Sequence, residues 1–165
     1  MTNRKEVKKQ ILDFLEEIPD PEIPVINIVE MGIVRGVVFQ DGKWEVLITP
    51  TYSGCPAMVQ IEEDILKELR GRGFENAVVK RVFSPAWTTD WFSDTAREKL
   101  RKYGISPPGK SIEKVDLLKK GNKSVHCPRC NSSETELVSL FGSTACKALY
   151  KCKSCLEPFD HFKCV

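Results

Sequence analysis

The sequence predicts an α+β protein with two domains: a two-layer α/β sandwich in the order α-β-β-α-β-α, followed by a small cysteine-rich domain. Helical and strand patterns alternate over residues 1–104, whereas six of the seven cysteines fall in the last 39 residues. A chain of 165 residues, of which 41% are hydrophobic, has room for one ordinary domain and one small one. A large multi-site enzyme is excluded by this length.

Three segments have the apolar spacing of amphipathic helices. The first covers residues 4–18 and begins at the capping pair Asn3 and Glu6. The second covers residues 56–70 and the third roughly 90–103, and glycines follow both of them. These segments are expected to form one layer of the sandwich.

Three segments rich in β-branched and aromatic residues predict the strands. Ile33–Phe39 and Lys43–Thr49 are separated by Asp41-Gly42, a pair typical of a tight hairpin turn. Ala77–Phe83 is predicted as the third strand. Together with the helices, these strands complete the predicted sandwich.

The domain boundaries follow from shifts in composition. We expect a first domain at 1–104, a Pro- and Lys-rich linker at 105–125, and a second domain at 126–165. The last segment has too few apolar residues to be stabilised by a core of its own, so it needs an additional cross-link such as a bound metal.

The spacing of the cysteines indicates what cross-links the second domain. Cys127 and Cys130 form one CxxC pair, and Cys152 and Cys155 form another after 21 intervening residues. Two such turns can direct four thiolates at one ion, which is the arrangement of a structural zinc site. The second domain is therefore predicted to be a zinc ribbon that holds Zn²⁺.

A rival set of ligands overlaps with this one. Its spacing is close to that of a plant-type [2Fe–2S] site, but it leaves Cys127 and Cys130 without a role. We instead interpret Cys146 and Cys164 as small buried side chains. His126 and His161 are interpreted as residues that take no part in metal binding. The rival ligands are Cys146, Cys152, Cys155 and Cys164.

The seventh cysteine, Cys55, lies where a strand turns into a helix, within the segment Thr51–Ala57. At the predicted helix N-cap, the helix dipole and free backbone N–H groups would favour a thiolate. Such a thiolate could hold a metal or a cluster transiently. The alternative, that Cys55 only caps or packs, stays open because no base or second cysteine adjoins it.

Five further residues have ordinary structural interpretations. Asp20, in a Pro-rich loop, is expected to fix a turn through its side-chain oxygens. Trp87 and Trp91 are expected to pack in a core, with Thr88 and Asp90 as polar groups beside them.

Charge and missing motifs narrow the function classes. The net charge of +2 is too small for a general nucleic-acid binder, although residues 105–165 carry +4 and residues 1–104 carry −2. The basic part could meet an acidic partner or be only a solvated face. The sequence has no phosphate-binding glycine loop, no HExxH and no serine nucleophile motif. It also has no apolar run of bilayer length and no signal core, so we expect a cytoplasmic protein.

Three motifs occur in a specific order ahead of the cysteine-rich tail. In that order the chain resembles the PaaD family (also called PaaJ), the small accessory subunits of the phenylacetyl-CoA epoxidase system. Residues 1–104 are similar to the SufT-type domain of iron–sulfur maturation factors, and the tail from Gly142 to Cys155 is similar to the PaaD ribbon. The three motifs are Asp20-Pro-Glu-Ile-Pro24, Thr51-Tyr-Ser-Gly-Cys-Pro-Ala57 and Phe83-Ser-Pro-Ala-Trp-Thr-Thr-Asp90.

The resemblance implies a non-catalytic role in phenylacetate degradation: insertion or delivery of an iron–sulfur or di-iron centre to an oxygenase component. It places the family's reactive cysteine at Cys55 and its loop aspartate at Asp20. The implied partners are oxygenase or reductase subunits, with no nucleic acid and no membrane. Two alternatives remain: a zinc-ribbon adaptor or nucleic-acid binder, and an enzyme that uses Cys55 as a thiol catalyst.

Overall fold

The computed structural model describes residues 3–109 and 125–163. The chain divides into two compact units, Met1–Trp87 (the first unit) and Thr88–Val165 (the second unit). The elements in chain order are α1 (Arg4–Leu15), β1 (Val34–Gln40), β2 (Lys43–Ile48), α2 (Ala57–Gly71), β3 (Val78–Arg81), a 3₁₀ turn (Thr89–Trp91), α3 (Asp94–Tyr103), β4 (Ile105–Ser106), β5 (Thr135–Ser139), β6 (Lys147–Cys152) and β7 (Pro158–Phe162).

The first unit contains a three-stranded sheet in the order β1-β2-β3. β1 and β2 are antiparallel, whereas β2 and β3 are parallel and are connected through α2. α1 packs on β1, α2 packs on β3, and the two helices contact each other. Sheet and helices thus form the two predicted layers. The helix side chains buried most completely are Ile11, Leu15, Met58, Ile61, Ile65 and Leu69.

Local signals in the sequence explain how these elements begin and turn. The Asn3 side chain accepts a hydrogen bond from the Lys5 backbone N–H at 3.1 Å and so caps α1. Asp41 and Gly42 both have positive φ, 51° and 75°, as a tight hairpin requires. The predicted hairpin is confirmed.

The second unit contains a four-stranded sheet in the order β4-β7-β6-β5. β5, β6 and β7 are antiparallel neighbours, whereas β4 runs parallel to β7. Its cysteine-bearing end is built around a small buried cluster. The members of that cluster are Val125, Cys127, Cys152 and Phe159.

The region after residue 87 differs from the sequence-based expectation in two ways. The third helix begins at Asp94 and not near residue 90, because the Ser93 hydroxyl caps it by accepting from the Ala96 N–H at 2.9 Å. Ile105 and Ser106, expected in a linker, pair with β7. Pairing with a distant strand leaves no local pattern, which explains this second difference.

The compact division falls between Trp87 and Thr88, so α3 belongs to the second unit, although the sequence assigned it to the first domain. The rest of the predicted linker, residues 110–124, lies outside the described residues. The predicted domain limits therefore stay a prediction.

None of the helices in the described part of the chain has the length and apolar character needed to cross a bilayer.

Candidate metal centre and the Cys55 loop

Two similar turns bring four cysteines together in the second unit. The first turn, before β5, carries Cys127 and Cys130, and the Asn131 N–H donates to the Cys127 carbonyl at 2.9 Å. The second turn lies between β6 and β7 and carries Cys152 and Cys155. In each turn the residue after the second cysteine has a positive φ. These residues are Asn131, at 60°, and Leu156, at 66°.

The four sulfur atoms lie within 4.8 Å of one another. The Cys127 and Cys155 sulfurs are 3.7 Å apart, and the Cys130 and Cys152 sulfurs are 3.5 Å apart. For a Zn–S bond of about 2.3 Å, the edge of a tetrahedron is about 3.8 Å. The sulfur positions therefore fit a single tetrahedral ion, and four thiolates are a donor set that Zn²⁺ prefers.

The surroundings of these thiols are unequal. Cys127 and Cys152 are buried, Cys155 is half-buried and Cys130 is exposed. The pKa of Cys152 is lowered to about 6, chiefly because the Cys155 backbone N–H donates to its sulfur, at 3.4 Å. A thiol that ionises this readily is prepared to act as a metal ligand.

The rival [2Fe–2S] ligand set is not brought together in the described residues. Within residues 3–109 and 125–163, the four-cysteine group is the one cluster of potential metal ligands. Cys146 is buried outside it, with its sulfur 3.1 Å from the Thr144 hydroxyl. His161 packs edge-on against Tyr150, and neither histidine joins the group. Cys164 lies outside the described residues.

In the first unit, Cys55 lies in the loop that follows β2 and precedes α2. The N-cap of α2 is Pro56 and not Cys55, which corrects the predicted position by one residue. The reason is a tight turn: the Cys55 N–H donates to the Tyr52 carbonyl at 3.2 Å, and Gly54 has a φ of 80°. The Cys55 carbonyl in turn accepts from the Met58 N–H.

This turn leaves Cys55 half-buried. In the part of the chain that the structure describes, no hydrogen bond holds its thiol. Cys55 is therefore a partly exposed cysteine next to the start of α2, with a thiol that makes no hydrogen bond among the described residues.

Asp20 has the structural role predicted for it. Its side chain is buried, and its Oδ1 accepts from the backbone N–H groups of Glu22, at 2.9 Å, and Ile23, at 2.8 Å. Its own N–H donates to the Ile26 carbonyl, so the carboxylate shapes the loop that contains it. That Asp20 and Cys55 act together stays a prediction.

The tryptophan motif is mainly structural. Trp87 is buried in the first unit, where its Nε1–H donates to the Met31 carbonyl at 3.1 Å, which confirms the predicted core packing. Trp91 is half-buried in the second unit. The Thr88 hydroxyl accepts from the Asp90 N–H, as expected for a capping group.

One residue of the loop that carries Cys55 was not predicted from the sequence. Thr49 starts the same loop, is buried, and its hydroxyl has no hydrogen-bond partner among the described residues. Unsatisfied buried hydroxyls are uncommon in folded proteins. No sequence signal marks it, because a threonine at the end of a strand is ordinary.

Comparison with protein families finds two matches along the chain. Residues 8–80 match the model of an iron–sulfur cluster assembly protein family. Residues 112–163 match the model of the PaaD zinc beta ribbon domain. The two matches correspond to the regions that carry Cys55 and the four clustered cysteines.

Individual relatives extend this comparison. A protein of Escherichia coli strain K12, provisionally named as one of the subunits of 1,2-phenylacetyl-CoA epoxidase, is 49% identical over 94% of this chain and 92% of its own. An "Fe-S protein maturation auxiliary factor" of Porphyromonas gingivalis is 32% identical over 58% of this chain and 91% of its own. The crystal structure of a Domain of Unknown Function DUF59 from Bacillus anthracis aligns with a TM-score of 0.54 and 27% identity, over 58% of this chain and 92% of that one.

Proposed function

The chain belongs to the PaaD family of 1,2-phenylacetyl-CoA epoxidase subunits, and from that premise we propose that it is a non-catalytic maturation factor. Its role is to insert or deliver the metal centre, iron–sulfur or di-iron, of a phenylacetyl-CoA epoxidase. It works in the cytoplasm with the oxygenase or reductase subunits of that system. The likeness of its first unit to iron–sulfur maturation factors supports this role.

One observation carries the proposal: a half-buried thiol without a hydrogen bond among the described residues, in the part of the chain that matches iron–sulfur assembly proteins. Cys55 is half-buried, and no hydrogen bond within the described residues occupies its sulfur. A thiolate is a soft ligand for iron and for iron–sulfur clusters. We assign to Cys55 the transient binding of the transferred iron or cluster. We assign to Asp20 the shaping of its own loop, which carries the first of the three family motifs.

The second unit has a different role in this proposal. One structural Zn²⁺ is held by Cys127, Cys130, Cys152 and Cys155. This ion cross-links the two turns and takes no part in the transfer of iron or a cluster. All four ligand positions are filled by protein sulfur, so no position is open for a substrate. The ribbon thus offers a stable surface for contact with partner subunits.

The test replaces Cys55 with serine in a strain that co-expresses the epoxidase. Cys55→Ser is expected to leave zinc content intact and to shift the melting temperature by less than about 2 °C, because serine is close in size and no hydrogen bond is lost. Iron content and activity of the co-expressed oxygenase should fall to the level seen without this chain, because a hydroxyl cannot replace a soft thiolate ligand.

Ser53→Ala, an exposed change in the same loop, is the matched control and should leave the oxygenase fully active. Full iron content and activity of the oxygenase with Cys55→Ser would refute the role of Cys55. A covalent substrate adduct on Cys55 would instead favour the thiol-catalyst alternative.

A further inference from the structure

An exposed apolar cluster in the second unit has no role in the proposed chemistry. We name it the β5 patch, the side chains of Leu137, Val138, Leu140 and Phe141. Their exposed fractions are 47%, 55%, 63% and 68%. Four large apolar side chains this exposed in one short segment are unusual for a solvated surface and are typical of a site of protein contact.

The position of β5 adds to the exposure of the patch. Within the described residues β5 is the last strand of its sheet, with β6 on one side only. The pairing with β6 is irregular between Leu137 and Ser139, so Val138 has no partner across the ladder. Backbone groups along the outer edge of a strand are available to a further extended segment.

The loop after β5 holds Phe141 in a defined position. The Gly142 N–H donates to the Lys147 carbonyl at 2.7 Å, and a side chain at Gly142 would collide with the Asp160 carboxylate. Asp160 accepts from the Ser143 hydroxyl at 2.8 Å and lies 3.8 Å from the buried Lys147 ammonium. The patch is therefore presented by an ordered support, which lowers the entropy lost on binding.

A positive charge lies directly beside the patch. The Lys163 ammonium donates to the Leu140 carbonyl at 3.1 Å and lies 4.8 Å from the centre of the Phe141 ring. No carboxylate among the described residues is within 4.0 Å of it. The charge of Lys163 thus remains available to an acidic group that arrives with a partner.

We infer that the β5 patch is the docking surface for a partner subunit of the epoxidase, bound through an apolar segment that places a carboxylate against Lys163. This inference rests on the proposed function for the identity of the partner. The aromatic ring, its adjacent cation and a strand edge that is outermost among the described strands are features that concentrate binding energy in protein interfaces.

The experiment measures the affinity of the full chain for each purified oxygenase and reductase subunit at about 150 mM salt. Phe141→Ala is expected to weaken binding to one subunit at least tenfold, as truncation of a central aromatic contact does. Lys163→Glu should weaken it further and reverse the contribution of this charge pair to the salt dependence, because two carboxylates repel and added salt screens that repulsion. Zinc content and melting temperature are recorded for both variants to show that the ribbon is folded.

Leu156→Asn is the matched control, because Leu156 is 66% exposed and follows β6 at its far end from the patch. It should bind as the unsubstituted chain does. Unchanged affinity in both Phe141→Ala and Lys163→Glu would overturn the inference, as would absence of binding to every subunit at about 100 μM. Self-association that is lost in Phe141→Ala would also overturn it, because the occupant would then be a second copy.

Cys55→Ser separates this inference from the proposed function. It should bind the subunit with unchanged affinity while the oxygenase stays immature. A mature oxygenase with Cys55→Ser would refute the proposed role of Cys55 and leave the docking result standing. Weakened binding with Cys55→Ser would show that the contact is made through the Cys55 loop and would overturn the β5 patch as the docking surface.

Discussion

The two units use cysteine in opposite ways, and this follows from how each is stabilised. The first unit buries a continuous set of aliphatic side chains from two helices and a sheet, including Ile11 and Ile65. The thiol of its cysteine, Cys55, makes no hydrogen bond among the described residues, so this thiol is not committed to the structure of the unit. In the second unit Cys127 and Cys152 are themselves members of a small core.

The difference shows how the available apolar area decides the use of a reactive side chain. A unit with a large core can leave a thiol half-exposed without loss of stability. A unit whose core is too small must commit its thiols to a cross-link. Three tests bear on this difference between the units, and the largest effect is expected from removing the metal.

Removal of zinc by a strong chelator is expected to unfold the cysteine-bearing end of the second unit and to leave the first unit folded. Structural zinc contributes about 10–16 kcal/mol in small zinc domains, far more than the cluster around Val125 and Phe159 can replace. Metal analysis and amide hydrogen exchange, resolved by unit, measure both effects. Cys127→Ser should reproduce the result.

Two outcomes would contradict this account of the second unit. One is a ribbon that keeps its exchange protection without metal. The other is bound iron with visible absorption that survives Cys127→Ser and is lost with Cys146→Ser, which would restore the [2Fe–2S] alternative.

The next largest effect on stability is expected from creating a cavity in the core of the first unit. Ile65→Ala, at a fully buried position of α2, is expected to lower the free energy of unfolding of the first unit by about 2–5 kcal/mol. The zinc content should not change, because the four sulfurs lie in the other unit. Thermal unfolding and metal analysis of the same sample check both statements, and loss of zinc would show that the units are not separately stabilised.

The smallest effect concerns two glycines that differ in their surroundings. Gly142→Ala should destabilise the second unit by about 1–3 kcal/mol, because the added methyl group meets Asp160 and lies 3.3 Å from Lys147 Cβ. Gly36→Ala, with no atom within 4 Å of the new methyl group, should be neutral or stabilise by up to about 1 kcal/mol. Chemical denaturation of both variants gives the two signs, and equal effects would contradict the packing argument.

Much of the fold could be predicted because its signals are local. The Asn3 cap, the Asp41-Gly42 turn and the two CxxC pairs each occupy a few neighbouring residues, and the structure confirms the first two and brings the four sulfurs together. The family resemblance, which rests on short motifs, is also confirmed by a relative that is 49% identical over 94% of this chain and by the match to the PaaD ribbon model. Local chemistry is therefore what the sequence states most directly.

The features that escaped prediction depend on distant parts of the chain. The pairing of Ile105 with Asp160 in the sheet spans more than fifty residues, and neither end shows a strand pattern long enough to notice. The network of Asp160 with Ser143 and Lys147 exists only once three segments have come together. The predicted N-cap of α2, Cys55, differs by one residue from the observed N-cap, Pro56, because Cys55 belongs to the tight turn before the helix.

The parallel pairing of β4 with β7 has a consequence for how the protein is made. Ile105 leaves the ribosome ahead of its partner strand by 53 residues, which at about 5–20 residues per second is a delay of roughly 3–10 s. The first unit is complete by Trp87 and can fold during that interval. The second unit cannot complete its sheet until β7 has been synthesised. During translation Ile105, which is buried in the folded protein, therefore stays exposed to solvent.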